Sequence, residues 1–289
     1  MDFCYLCGST DFISREGEVR DAPAINILEC NDCGLVSLDS VAHIHSNFYE
    51  NSGMHGEQNT MDHWLKETHW DDQRRFEQLK PLLANRRVLD FGCGAGGFLL
   101  KAKGLASNVV GIELEKRVLN YWHSKLSMVS SIEEASALSE GGYDLITAFH
   151  VLEHVHDPRE MLAKLGAMLN SEGRMIIEVP SADDALLTLY DCDAFQRFSY
   201  WSQHLYLFTA STLATLIKQA GLKVIAIQHY QRYPLSNHLH WLSKSKPGGH
   251  QRWSFLDSTA INHAYAEVLA SIGKTDTLIA HVEKNGDSV

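Results

Sequence analysis

The feature that most constrains this chain is a short apolar run, Val88-Leu89-Asp90-Phe91, followed at once by Gly92-Cys93-Gly94-Ala95-Gly96-Gly97 and then by Phe98-Leu99-Leu100. A run of that length bounded by glycines predicts a buried strand, and the glycines permit a tight turn into a helix. Lacking Cβ atoms, such a turn lets the backbone approach a ligand, which the helix N-terminus then faces. Spacing alone leaves the ligand open, because Gly92, Gly94 and Gly97 also satisfy the G-x-G-x-x-G pattern of dinucleotide sites.

Two carboxylates separate the alternatives. Asp90 stands directly before the glycines, uncomfortably close for a pyrophosphate but well placed for a ligand with a cationic amino-acid end. The next apolar run, Asn108 to Ile112, ends in Glu113, placed to accept the hydroxyls of a ribose. A further strand, Tyr143 to Phe149, runs into His150-Val151-Leu152-Glu153-His154-Val155-His156-Asp157-Pro158.

In these segments the chain resembles the class I S-adenosylmethionine-dependent methyltransferases, over residues 85 to 230. The resemblance implies an α/β fold, a doubly wound Rossmann-like methyltransferase sheet, with S-adenosyl-L-methionine as cofactor. It places Asp90, Gly92, Gly94 and Gly96 around the methionine part of the cofactor and Glu113 on the ribose. His150 then borders the pocket, and backbone near Ser131-Ile132 flanks the adenine.

The rest of the pattern agrees with this sheet. Helices are expected to Lys103, from Lys116 to Lys125, from Asp157-Pro158 through Leu169, and from Thr209 to Ala220. Strands are expected near Met128-Val129, at Met175 to Val179 after the punctuation of Gly173, at Leu222 to Ile227, and at Thr277 to Val282. The resemblance makes the last of these antiparallel to its neighbours.

Cys4, Cys7, Cys30 and Cys33 form two C-x-x-C knuckles, each followed by a glycine, Gly8 and Gly34. Four thiolates so spaced can meet one tetrahedral ion, which predicts a small N-terminal zinc ribbon over 1–41 with a structural Zn2+. No βαβ pattern surrounds either pair, which argues against a redox role. Residues 42–84 read as a helical connector or cap, helical from His43 to Leu83, with Tyr49, Trp64 and Trp70 as aromatic groups. Residues 85–289 form the methyltransferase domain, with an insertion at about 229–256 that combines aromatics with Arg232, Lys244, Lys246 and Arg252. That insertion is expected to be an acceptor-binding lid.

Methyl transfer to oxygen or carbon needs alignment and the removal of a proton, a task that suits histidine. His204, in Tyr200-Trp201-Ser202-Gln203-His204, is the expected catalytic base. The segment is similar to one in zinc-containing sugar methyltransferases, where a Tyr-Glu-His triplet carries the base, and here only the histidine is kept. The acceptor implied is a small molecule, a sugar or nucleotide-linked sugar intermediate, phosphorylated in one version. His150 and His154 flank Glu153 at i, i+4 spacing, but no third metal ligand is visible near them, so they are expected to shape the cofactor loop. Cys93 and Cys192 receive no reaction.

A net charge of −11, with only Arg15 and Arg20 basic in the first sixty residues, disfavours a nucleic-acid partner. An RNA methyltransferase is thus the weaker enzyme alternative, and a non-catalytic S-adenosylmethionine-binding module the alternative of another class. No apolar run approaches the roughly 18 residues of a membrane span, and no export signal opens the chain, so a cytoplasmic location is expected.

Overall fold

In the computed structural model, residues 2–44, 48–50 and 60–286 are described. Part of the helix expected from His43 therefore falls on 45–47 and 51–59, outside the described residues. The N-terminal strands are β1 (Phe12–Ser14), β2 (Ile27–Cys30) and β3 (Val36–Leu38). The long helix α1 (Met61–Leu83) starts at Thr60, whose side chain accepts a hydrogen bond from the His63 amide. It buries Met61, Trp64, Leu79 and Leu83 along one stripe, with Asp72 among them.

The alternating part follows: β4 (Arg87–Phe91), α2 (Gly97–Ala102), β5 (Asn108–Ile112), α3 (Lys116–Trp122), β6 (Ser127–Val129), α4 (Ile132–Ala137) and β7 (Tyr143–Phe149). After it come α5 (Pro158–Met168), β8 (Leu169–Pro180), α6 (Ala185–Thr188), α7 (Asp193–Ser199), β9 (Tyr206–Leu207), α8 (Ala210–Gln219) and β10 (Leu222–Tyr230). The chain ends with α9 (Leu235–Lys244), α10 (Gly249–Arg252), α11 (Thr259–Ser271) and β11 (Thr277–Lys284). Asp157 caps α5 by accepting from the Glu160 amide, with Pro158 opening the helix as its sequence predicts.

The main sheet has the order β10-β11-β8-β7-β4-β5-β6. Strands β4, β5, β6, β7 and β8 run parallel, whereas β11 is antiparallel to both β8 and β10. Val88, Leu89, Ile146, Met175 and Ile177 are fully buried, as expected of parallel strands covered on both faces. Strand β8 begins at Leu169, not Met175, and Gly173 lies inside it rather than punctuating its start. A Cβ at Gly173 would lie 2.8 Å from the Tyr143 carbonyl, so glycine marks a close approach to β7 at the irregular end of their pairing.

The N-terminal strands do not stand apart. Their sheet has the order β1-β2-β3-β9, with Val36 opposite Leu207 and Ser37 opposite Tyr206. The ribbon thus borrows its outer strand from the segment that carries His204.

Helix α1 is fastened to the sheet by a buried carboxylate. Glu178 in β8 is 1% exposed, accepts from Arg74 Nη2 at 2.8 Å and Arg75 Nη2 at 2.6 Å, and has His150 Nε2 as an ionic neighbour at 3.1 Å. Burial opposes its ionisation, but Arg75, His150 and Arg74 together hold it well below the usual glutamate value. Removing the carboxylate would leave two buried guanidinium groups without it. Glu178→Ala is expected to lower the unfolding free energy by about 3–5 kcal/mol, read from urea denaturation. A loss under about 1 kcal/mol, the value of an exposed pair, would contradict the role given to this residue.

Candidate active site at the carboxyl ends of the strands

The glycine loop lies where β4 ends. Gly92, Gly94 and Gly96 have φ of +66°, +51° and +76°, a region L side chains rarely adopt. A Cβ on Gly92 would lie 2.5 Å from a Val151 methyl, and one on Gly96 would lie 2.9 Å from the Trp122 indole nitrogen. The loop is therefore wedged between the segment after β7 and helix α3. Helix α1 closes it from a third side, with Trp64 against Gly94 and the Asp72 carboxylate against Gly97. Trp64 is buried, with the Arg117 guanidinium over its ring, whereas Trp70 is exposed.

The two carboxylates picked out by the sequence border this loop. Asp90 is 2% exposed and accepts one side-chain hydrogen bond, from Thr147 Oγ1 at 2.7 Å, its register partner in β7. Burial pushes its pKa up to about 7 although Thr147 works in the opposite direction. A carboxylate so poorly supplied with donors suits a cationic ligand group. Glu113 accepts from the amides of Gly94 at 2.9 Å, Leu114 at 2.7 Å and Glu115 at 3.1 Å, yet burial keeps its pKa raised. The donor set fits S-adenosylmethionine: a loop without Cβ atoms, an uncompensated carboxylate at one strand end and a second at the next. Ser131, expected beside the adenine, caps α4 through the Glu134 amide.

On the other side of the loop lies the segment after β7. His150 has φ +54°, unusual for a side chain of its size, and its ring spans Glu178 and Glu153, with Nδ1 3.4 Å from Glu153 Oε1. Those carboxylates raise its pKa against the effects of burial and Arg232. Glu153 is fully buried. His154 Nδ1 lies 2.8 Å from the Gln203 carbonyl, and its ring centroid is 4.9 Å from that of His204. The fold thus joins Glu153 and His154 to His204, fifty residues away. Among the described residues the shielded Nδ1 of His204 has no hydrogen-bond partner, and loss of solvent with His154 nearby pushes its pKa down to about 3. Its imidazole is therefore neutral.

The ribbon and the start of the connector support this segment from behind. Asp21 accepts from the amide and hydroxyl of Ser202 at 2.9 and 2.8 Å, Arg20 lies over the Trp201 ring at 4.6 Å, and His43 Nε2 meets the Ser202 carbonyl at 2.6 Å. At the knuckles the sulfurs of Cys4, Cys7, Cys30 and Cys33 all lie within 4.8 Å of one another, and no disulfide joins them. Burial keeps the Cys4 and Cys33 thiols above their ordinary pKa, so a cation is needed before all four can ionise together. Four convergent sulfurs are the donor set of a structural zinc site.

The insertion differs from the expected lid in its chemistry. Trp241, His238 and His240 are buried, with Trp241 against Phe195 and Phe198, so these groups form a local core rather than a stacking surface. Lys244, Lys246 and Arg252 are exposed. Arg232 alone of the four reaches the site, where it pairs with Asp71 at 2.8 Å and contacts His150 Nε2 at 3.1 Å. The residues that sequence reasoning missed are Thr147, Glu153, Glu178, Arg74 and Arg75. A signal existed for Glu153, which sits between His150 and His154, but its third neighbour is supplied only by folding.

A family model described as a methyltransferase domain matches residues 61–227. The chain belongs to that family and is an S-adenosylmethionine-dependent methyltransferase. It is 26% identical over 192 residues to a ubiquinone biosynthesis O-methyltransferase of Burkholderia pseudomallei, an alignment covering 58% of this chain and 83% of that one. A protein of the same name from Bordetella pertussis is 28% identical over 194 residues, covering 58% and 80%. Among solved structures, a SAM-dependent methyltransferase from Archaeoglobus fulgidus aligns with a TM-score of 0.51 at 21% identity, covering 73% of this chain and 92% of that one, a likeness of fold.

The environment of Asp90 predicts a pH-dependent cofactor affinity. With a pKa of about 7, Asp90 is neutral at lower pH and cannot pair with a cationic cofactor group without first losing its proton. The dissociation constant for S-adenosylmethionine is expected to rise as pH falls below 7, approaching about tenfold per pH unit. Calorimetric titration between pH 6 and pH 8 should also detect a released proton. A flat profile for the wild-type protein would refute this.

Proposed function

We propose that the protein methylates a hydroxyl oxygen of a small-molecule acceptor that enters over the segment Tyr200 to Leu207. The observation that carries this is the position of His204, beside Glu153 and His154 on the chain that follows β7, whose Val151 covers the glycine loop. In open α/β sheets ligands meet at the carboxyl ends of the strands, which is where these groups gather. The relatives' names, as O-methyltransferases of ubiquinone biosynthesis, favour oxygen over nitrogen. They lend no support to a sugar, and the engaged Arg232 lends none to a phosphate, so the acceptor class is kept to a hydroxyl-bearing small molecule.

S-adenosylmethionine supplies the methyl group when bound. Asp90, Gly92, Gly94 and Gly96 would hold its methionine part and Glu113 its ribose, while His150 acts through the charges of Glu178 and Glu153. His204, neutral and shielded at Nδ1, would take the acceptor's proton as the oxygen attacks, with Glu153 offsetting the charge formed on the imidazole. The acidic surface and the filled charge network speak against an RNA acceptor. His204→Ala is expected to lower kcat by about 10²–10⁴ while leaving the cofactor dissociation constant unchanged. Equal turnover by the variant, assayed with hydroxylated aromatic and aliphatic acceptors, would remove His204 from the chemistry.

We place a structural Zn2+ in the Cys4, Cys7, Cys30 and Cys33 cluster. Because this ribbon pairs with β9 and holds Ser202, losing the ion should disturb the acceptor side and spare the cofactor side. Cys7→Ser with Cys30→Ser is expected to reduce zinc content measured by atomic emission and to lower turnover, with S-adenosylmethionine binding retained. Full activity in a zinc-free variant would overturn this.

A further inference from the structure

We infer that Glu153, His154 and His204 form a second metal site, for a divalent first-row transition ion, separate from the cysteine cluster. One ligand atom from each lies within 4.8 Å of the other two. Glu153 is 0% exposed, and among the described residues neither of its oxygens receives a hydrogen bond. His150 Nδ1, 3.4 Å from Oε1, is an ionic neighbour, not a donor at hydrogen-bond geometry. A buried carboxylate without hydrogen-bond donors costs more than about 1–3 kcal/mol, and His150 offsets that cost from the Oε1 side only at 3.4 Å, which leaves lone pairs free for a metal ion.

The histidines are arranged to match. His154 Nδ1 lies 2.8 Å from the Gln203 carbonyl, and a carbonyl only accepts, so Nδ1 carries the hydrogen and Nε2 keeps its lone pair. This backbone bond to the far nitrogen is the usual support of a metal-binding imidazole. His204 has a shielded Nδ1 without a partner among the described residues. Both rings are partly exposed, so the cluster opens on its imidazole side while the carboxylate closes it below. Bonds of about 2.1 Å hold two ligand atoms of one ion at most about 4.2 Å apart, a contraction that side-chain rotation can supply. Two imidazoles and one carboxylate suit zinc, cobalt, iron(II) or manganese rather than magnesium or calcium, and three protein ligands leave positions open.

The catalytic consequence, unlike the binding, rests on the acceptor position proposed above. An acceptor hydroxyl on an open position would lose its proton to solvent more readily. The oxygen's electron pair then forms the bond to the methyl carbon as the carbon–sulfur bond breaks and its pair returns to sulfur. In the loaded protein His204 serves as a ligand, and without the second ion it is left as the base.

The test is cobalt(II) titration of the full chain with its ribbon already loaded with zinc, followed by calorimetry and visible absorption. The expected result is uptake of a second ion, with the weak d–d bands of nitrogen and oxygen ligands and no sulfur charge-transfer band. Glu153→Gln, His154→Ala and His204→Ala should each abolish that uptake while retaining the zinc and binding S-adenosylmethionine, which also shows that they fold. No second ion in the wild-type protein, or uptake undiminished in all three variants, would overturn the site. Because these readouts need no acceptor, a failure here leaves the turnover defect of His204→Ala as an independent measure of the proposed function.

Discussion

The arrangement depends on how the protein keeps one carboxylate charged in its interior. Glu178 has lost almost all contact with water, which by itself disfavours ionisation by several kcal/mol. At about 3 Å and an effective dielectric near 20, each opposite charge returns about 5 kcal/mol. One partner would barely balance the loss, but Arg74, Arg75 and His150 all converge on this residue. They come from helix α1 and from the turn after β7, so the electrostatic solution also fixes three elements against one another. Arg232 extends the connection to the insertion through Asp71 and His150. The left-handed backbone at His150 is tolerable because its ring and its amide, which donates to the Glu178 carbonyl at 2.7 Å, are both held.

With that frame in place the glycine loop can be tight. Its open φ values would be a source of disorder in a loose turn, but Val151, Trp122 and Asp72 each stand where a side chain on the loop would have been, and Trp64 packs beside Gly94. The backbone is thereby confined without being filled. Asp90 stands at its base, accepting a side-chain hydrogen bond from Thr147, with its pKa pushed up by burial to about 7. Once ionised, this carboxylate makes the site more receptive to a cation than to the phosphates that glycine loops of this spacing otherwise attract.

What the sequence disclosed follows the range of the interactions involved. The strand, glycine loop and helix from Arg87 onward are encoded by neighbours a few residues apart, and Asp90 and Glu113 could be placed because strand ends in such sheets share one edge. The cysteine knuckles were legible for the same local reason. The Glu153, His154 and His204 cluster was not, since the third member arrives from beyond β8 and two short helices. The insertion misled in the opposite sense. Its mixture of aromatics and cations resembles a binding surface, but composition cannot tell an aromatic that faces a ligand from one like Trp241 that packs on Phe195. Gly173 shows the same ambiguity, as a residue that ends strands and also permits two strands to touch.

The ribbon's strand exchange explains why a small domain of this kind belongs on a methyltransferase. Strand β9 is two residues long, too short to order itself, and His204 sits just before it. Pairing with β3, the Asp21 contacts to Ser202 and the stacking of Arg20 on Trp201 add to the bonds that segment makes in its own domain, such as the Leu205 amide to the Glu153 carbonyl at 2.8 Å. Entropy lost in fixing such a loop amounts to about 1–2 kcal/mol per residue, which no isolated hydrogen bond returns. The N-terminal strands therefore order the segment that carries His204, while the glycine loop draws its order from helix α1, which Glu178 fastens to the sheet.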